Sequence, residues 1–191
     1  TRQVSSAASD VYKRQPSETA GTLVCSEEEI MESNVVSGIA YSRDEAKMTL
    51  VSVEDRPGTA AAIFGRLSEA NVNVDMIIQN IAEDGRTDMT FSCPTDQVAR
   101  AEKALLDAKT ENHVDFVDLI ADMNAAKVSA VGIGMRSQSG VAAKMFKTLS
   151  DEGINIKVIA TSEIKISVLI DRKYMELAVQ SLHHAFGLES A

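Results

Sequence analysis

Thr59–Ile78, TAAAIFGRLSEANVNVDMII, is answered 82 residues later by Val141–Ala160, VAAKMFKTLSDEGINIKVIA, with Phe64 matching Phe146, Leu67 matching Leu149 and Asn73 matching Asn155. The middle of the chain is therefore a repeat. In each copy an apolar strand enters a glycine-bearing loop and an amphipathic helix, followed by an alternating strand, a short turn, another strand and a second helix. A fold this small has little core to spare, so two copies point to a shared site or a shared interface.

The first copy runs from a strand at Lys47–Val53 through the loop Glu54-Asp55-Arg56-Pro57-Gly58 to a helix over Thr59–Ala70 that lines up Ile63, Phe64 and Leu67. Pro57 suits a first turn, where its missing N–H has no helical partner. The alternation in Val72–Ile78 predicts a strand with Val72, Val74, Met76 and Ile78 on one buried face. Glu83-Asp84-Gly85-Arg86 is a hairpin signal, Asp88–Cys93 a return strand, Thr95–Ala108 a helix and Val114–Ala121 a fourth strand. Strand-helix-strand-strand-helix-strand is the ferredoxin-like arrangement. The second copy supplies a strand (Lys127–Met135), a helix (Gly140–Asp151), two strands (Ile154–Ala160 and Ile164–Ile170) and a helix (Lys173–Phe186), but no fourth strand. A strand at Val35–Tyr41, closed by Ser42-Arg43-Asp44-Glu45, is left over upstream. The expected fold is therefore α+β, two ferredoxin-like βαββαβ domains: the first, residues 47–122, is inserted, and the second comprises residues 35–42 plus 127–187. Residues 1–34 are expected to form a leader or linker. Within it Thr1–Gln15 carries Val11-Tyr12-Lys13-Arg14-Gln15, which resembles translated adapter sequence, and is set aside as non-native.

Composition excludes several classes. At 45% hydrophobic and 25% charged the 191 residues suit a globular protein, and a net charge of -9 with no basic cluster argues against nucleic acid. No apolar run approaches a membrane span and no signal-peptide pattern is present, so the expectation is a cytoplasmic chain with no membrane partner. Cys25 and Cys93 show no metal or redox spacing, and Cys93 reads as a small core residue. His113, His183 and His184 lack ligand spacing, no metal site is expected, and no nucleophile-base constellation marks a catalytic centre.

Four strings carry a family resemblance: Asp55-Arg56-Pro57-Gly58, Asn73-Val74-Asp75-Met76-Ile77-Ile78-Gln79-Asn80, Gly132-Ile133-Gly134-Met135-Arg136-Ser137 and Thr161-Ser162-Glu163-Ile164. With them the chain resembles, from about Leu23 to Leu188, the paired ACT domains that regulate aspartate kinase. It is similar to the separate regulatory beta subunit of heteromeric members. The resemblance implies feedback control of the ATP-dependent phosphorylation of L-aspartate in lysine, threonine and methionine biosynthesis. The kinase string is absent, so no catalytic residue is expected here, and ATP and Mg belong to the catalytic domain or subunit, the expected partner.

A free amino acid presents a carboxylate and an ammonium group, which suit a helix N-terminus and a nearby acidic oxygen respectively. Gly58, Thr59 and Ala60 provide the helix start and Asp55 the acid. By resemblance Gln79 contacts the effector, and Asn155 with Ile156 closes the pocket from the second domain of a partner chain in a homodimer. The resemblance implies L-threonine as effector, with L-lysine in concert. A possible second site comprises Met135, Ser137, Gly140, Val141, Ser162 and Glu163. Its loop has no acid matching Asp55 and is two residues longer, counting Lys127 to Gly140 against Lys47 to Gly58. Other roles compete: Asp55 could serve the helix dipole, Gln79 and Asn155 could be exposed strand ends, and Glu163 a surface turn residue. The alternative functions are a stand-alone ACT amino-acid sensor and a ligand-free oligomerisation module.

Overall fold

A computed structural model describes residues 35–80, 85–132 and 140–188. The expected leader lies outside the described residues. One antiparallel six-stranded sheet is built from β1 (Gly38–Glu54), β2 (Ile77–Gln79), β3 (Arg86–Pro94), β4 (Asp118–Val131), β5 (Ile156–Thr161) and β6 (Lys165–Asp171), in the order β2-β3-β1-β4-β6-β5. The helices are α1 (Thr59–Glu69), α2 (Val98–Thr110), α3 (Val141–Asp151) and α4 (Met175–Ala185). Short 3-10 turns at Thr95–Gln97 and Arg172–Tyr174 lead into α2 and α4.

The first half of the sheet, β2-β3-β1-β4, has the strand order of a βαββαβ unit. The second repeats it as β5-β6-β4-β1, its last place filled by the start of β1: Gly38 pairs with Val131, Ile39 with Ala130, Ala40 with Ser129, Tyr41 with Val128 and Ser42 with Lys127. The second domain thus takes its fourth strand from the N-terminal side. The structure differs from the sequence expectation in continuity. Gly38–Tyr41 of the first expected strand and Lys47–Val53 lie in one 17-residue strand, and Asp118–Ala121 and Lys127–Val131 of the expected strands at Val114–Ala121 and Lys127–Met135 lie in the 14-residue β4, while residues 35–37 and 114–117 precede the strands. Ser42-Arg43-Asp44-Glu45 read as a break because it is polar. The ladder runs through it with register shifts, and Glu45 is buried.

Each half has its own core. Ile63 and Leu67 of α1 with Val98, Ala101 and Leu105 of α2 cover Met48, Leu50, Met89 and Phe91, and the Phe64 ring meets Phe91 edge to face at 5.9 Å. Met145 and Leu149 of α3 with Met175, Ala178 and Leu182 of α4 cover Val128, Ala130, Ile166, Val168 and Ile170. The i, i+4 spacing of Ile63/Leu67 and Met145/Leu149 is what turns one apolar stripe of each helix onto the sheet. Cys93 is fully buried, and burial pushes its thiol up to about 11, as a core residue requires. Ile164, expected to open the strand Ile164–Ile170, precedes β6 at the hairpin and is 53% exposed.

The helix-free faces of the two halves meet in a third cluster, in which Met76, Val158 and Leu169 are buried and Ile78 and Ala160 pack against them. This corrects the single buried face expected for Val72–Ile78. Val72 and Val74 join the first core, whereas Met76 and Ile78 turn to the opposite side. The second copy makes the same turn, with Ile156 packed on its helices and Val158 facing away across a register shift. The residue at the turn in each copy, Asp75 or Lys157, sends its charge into the other half. Asp75 accepts a 2.5 Å hydrogen bond from Lys127, and Lys157 donates a 2.7 Å hydrogen bond to Asp122. Lys127 also donates to Glu45 at 2.9 Å. Cross-strand hydroxyl pairs line the same faces, Thr49 with Thr90 at 3.0 Å and Ser129 with Ser167 at 2.8 Å.

Gly132 is the close-packing point for the borrowed strand. A Cβ there would collide with the Val35 carbonyl oxygen and lie 3.0 Å from Val36 Cα, both in fixed backbone. Gly132→Ala is expected to cost about 1–3 kcal/mol through overpacking. In urea denaturation with residue-resolved amide exchange, protection should fall first along 38–42 and 127–131 and not in α1 or α2.

The Lys127 brace has a definite pH signature. Burial alone would push the Lys127 ammonium down, but Asp75 and Glu45 outweigh it and hold it above its ordinary value. The hydrogen bond from Lys127 holds Asp75 below the usual carboxylate range. A carboxylate lowered in the folded state stabilises above its unfolded pKa of about 4 and loses that contribution as pH falls through the folded value. A raised lysine stabilises below its unfolded pKa of about 10.4 and loses that contribution as pH rises through the folded value. Lys127→Met leaves the buried Glu45 carboxylate without this cation and should cost about 3 kcal/mol at neutral pH. Denaturation across pH should show a near-constant deficit from about pH 5 to pH 9, shrinking below about pH 4.

Candidate functional site

The loop between β1 and α1 is shaped by backbone chemistry. The Asp55 N–H donates to the Gly85 carbonyl at 2.9 Å, tying the loop to the start of β3. Gly58 sits at φ 98°, a left-handed conformation that favours glycine, and its carbonyl accepts from Ala62 N–H at 2.9 Å to open α1. Thr59 N–H turns back to the Arg56 carbonyl at 3.2 Å. No side chain caps α1 at Gly58, and its first turn contains no acid. The N–H groups of Ala60 and Ala61 have no intrahelical acceptor at this position in the turn. Arg56 leans back to Glu54 at 3.1 Å.

Gln79, at the end of β2, donates through Nε2 to the Asp55 carboxylate at 3.3 Å, and both side chains are exposed. An acid, an amide and an uncapped helix start therefore converge on one corner of the first half. Asp55 takes its hydrogen bond from Gln79 and lies ahead of the helix, outside its first turn. This constellation offers anion-accepting N–H groups beside a cation-accepting carboxylate, with no buried nucleophile and no acid-base pair. Among the described residues no group of His, Cys, Asp and Glu could hold a metal ion.

Asn155 and Ile156 lie elsewhere. With Phe146, Ser150, Gly153 and Ile154 they line a surface pocket of about 370 Å³ between α3 and β5. Within one chain no hydrogen bond between described residues joins them to Asp55 or Gln79. Of the second group, Met135 and Ser137 lie outside the described residues. Gly140, at φ 106°, starts α3 just as Gly58 starts α1, and Val141 is buried beneath it. Ser162 is engaged in the β5–β6 turn, where its N–H donates to the Lys165 carbonyl at 2.8 Å and its hydroxyl accepts from Lys165 N–H at 3.2 Å. Glu163 is exposed at the same turn. His113, which has no ligand spacing in sequence, is brought by the fold to 3.0 Å from Glu111 and into contact with Arg66, tying the ends of α1 and α2 together.

Sequence reasoning missed the layer behind Asp55. Ser52 breaks β1 at φ 55°, Asp88 accepts from its N–H at 2.8 Å, and Arg86 donates to its carbonyl and its hydroxyl. The signal that could have found it is a break in parity: Ser52 stands where the apolar series Ala46, Met48 and Leu50 would continue, and Val53 takes the next buried place.

Comparison with known proteins agrees with this architecture. ACT domain profiles match residues 47–109 and 128–186. The aspartokinase of Pseudomonas aeruginosa is 50% identical over 175 residues, which is 91% of this chain and 42% of that protein. That of Helicobacter pylori is 49% identical over 173 residues, again 42% of its length. The chain thus spans about two fifths of the curated relatives it matches. Among solved structures, the ligand-free regulatory subunit of aspartate kinase from Thermus thermophilus superposes with a TM-score of 0.74 at 39% identity, covering 80% of this chain and 99% of that one. A chain from a crystal structure of aspartokinase alpha and beta subunits gives 0.72 at 47% identity, with 80% and 99% covered. The matching portion is regulatory and not the catalytic part. With two ACT domains, the interrupted sheet and these relatives, the chain belongs to the tandem ACT-domain regulatory region of the aspartate kinase family.

Proposed function

We propose that this chain senses L-threonine on behalf of an aspartate kinase catalytic domain or subunit, the ATP-dependent activity that phosphorylates L-aspartate, and carries feedback inhibition to it. The observation that carries this reading is the hydrogen bond between Gln79 and Asp55 beside the uncapped start of α1. The effector carboxylate meets the N–H groups after Gly58, its ammonium meets Asp55, and the Gln79 carbonyl oxygen is free to accept from it while Nε2 stays on Asp55. The family resemblance adds L-lysine as a second effector.

Closure of the pocket by Asn155 and Ile156 requires a second copy. Among the described residues the two ends of the sheet, β2 and β5, are open edges that carry exposed isoleucines at matching repeat positions, Ile77 and Ile159. Open backbone edges with apolar side chains favour pairing with another chain. A homodimer that sets the second half of one copy against the first half of the other is the arrangement that fits.

L-threonine at about 100 times its dissociation constant should add roughly 2.7 kcal/mol of stability, a melting shift of several degrees, while D-threonine should add none. Asp55→Ala should abolish the shift and leave the unliganded melting temperature nearly unchanged, because Asp55 is exposed. Calorimetric titration of both proteins with all twenty amino acids checks this. A variant that still binds threonine with unchanged affinity rejects Asp55 as the ammonium acceptor.

A further inference from the structure

We infer that Arg86 is the positioning residue of the effector corner, acting through a bulge in β1 at Ser52; this rests on the reading of Asp55 as part of that corner. Leu50 pairs with Met89 and Val53 with Thr87, so three steps along β1 oppose two along β3. One extra residue is thus inserted in β1. Bulges of this kind place a residue in the left-handed region, and that residue is ordinarily glycine. Here it is Ser52, at φ 55°, where a side chain carries a steric penalty.

The consequence for the site follows from parity. Side chains alternate along a strand, so the buried series Ala46, Met48 and Leu50 would continue at position 52. The extra residue shifts the series, and Val53 is the next side chain fully buried in the first core. Asp55, two residues on, follows Val53 onto the helix side, where α1 begins and Gln79 reaches it. Without the bulge Asp55 would leave the strand on the opposite face.

Arg86 holds this geometry. Its guanidinium donates through Nε to the Ser52 carbonyl at 2.9 Å and to the Ser52 hydroxyl at 2.8 Å, and through Nη2 to the same carbonyl at 2.5 Å. Nη2 also pairs with Asp115 at 2.9 Å, so the side chain is fixed from behind. Asp88 accepts from Ser52 N–H at 2.8 Å. The residue before Arg86 is Gly85, whose carbonyl accepts the Asp55 N–H. The segment that clamps the bulge therefore also anchors the loop, and Arg86 acts on the effector without touching it.

The test is a four-way comparison of wild type, Arg86→Met, Ser52→Gly and the double variant. Asp55 amide exchange is read by NMR in the ligand-free protein and threonine affinity by calorimetry. If Arg86→Met leaves a competent loop in about a tenth of molecules, affinity should fall about tenfold. Asp55 N–H exchange should accelerate at least as much. Ser52→Gly removes the penalty that the clamp offsets, so the double variant should recover most of both, a rescue that loss of a merely stabilising contact would not give. Unchanged exchange and affinity in Arg86→Met, or no recovery in the double variant, overturns the assignment. If Arg86→Met does not fold, the double variant decides: wild-type Asp55 protection supports the clamp, and its absence overturns it. A wild-type protein that binds no amino acid rejects the effector reading, while the exchange measurements still decide the role of Arg86.

Discussion

Everything in this molecule depends on the antiparallel ladder between β1 and β4. It runs from the Gly38–Val131 pair to the Val51–Asp118 pair, and both halves of the sheet are attached to it. A backbone ladder is an accounting constraint: N–H and C=O groups withdrawn from water must be paired. The second half has three strands of its own in sequence, and β4 would be left with an open edge. The start of β1 closes that edge, and the continuation of the same strand serves as the centre of the first half. The first half is one contiguous stretch, but the second cannot be lifted out as a contiguous piece because its fourth strand lies upstream of the first.

That constraint explains the position of the buried charges. Two half-sheets sharing two long strands must turn their helix-free faces toward each other, and these faces are lined by Thr49, Thr90, Ser129 and Ser167 as well as by Met76, Val158 and Leu169. The contact is therefore only partly apolar. Lys127 bridges Glu45 and Asp75, and Lys157 reaches Asp122 and the Asn124 carbonyl. Burial alone would push Asp122 up, yet hydrogen bonds from Lys157 and from the Asn124 N–H leave it below its ordinary value. Polar groups held this way define one relative placement of the halves more sharply than an apolar seam could, because a slip would leave charges unpaired.

Much of this was legible in the sequence. The repeat fixed the order of elements, the surplus strand at Val35–Tyr41 pointed to the interrupted topology, and the helix stripes at Ile63/Leu67 and Met145/Leu149 marked the cores. Asp55, chosen as the acid ahead of a helix start, and Gln79, chosen through the resemblance, are brought together by the fold. The rest depended on partners distant in sequence. Ser42–Glu45 reads as a turn until Lys127 is seen beside Glu45. Met76 reads as part of the first core because alternation assumes a regular strand, and the irregularity at Asp75 turns it over. At Ser52 the sequence shows only a break in alternation, and the support of the bulge comes from Arg86 and Asp88, on a neighbouring strand. The layer behind a site is often of this kind: ordinary residue types whose role is set by tertiary register.

The opposite signs of Asp75 and Lys157 have one more consequence. These residues occupy matching positions in the repeat, 82 apart, yet each faces a fixed charge contributed by the other half. A chain made of two identical copies would lose one of these bridges. An aspartate at 157 would confront Asp122, and a lysine at 75 would confront Lys127. The duplication is thus asymmetric in charge, and the two halves are related as a plug is to its socket. Each is recognisable as the same fold, and neither can stand in for the other.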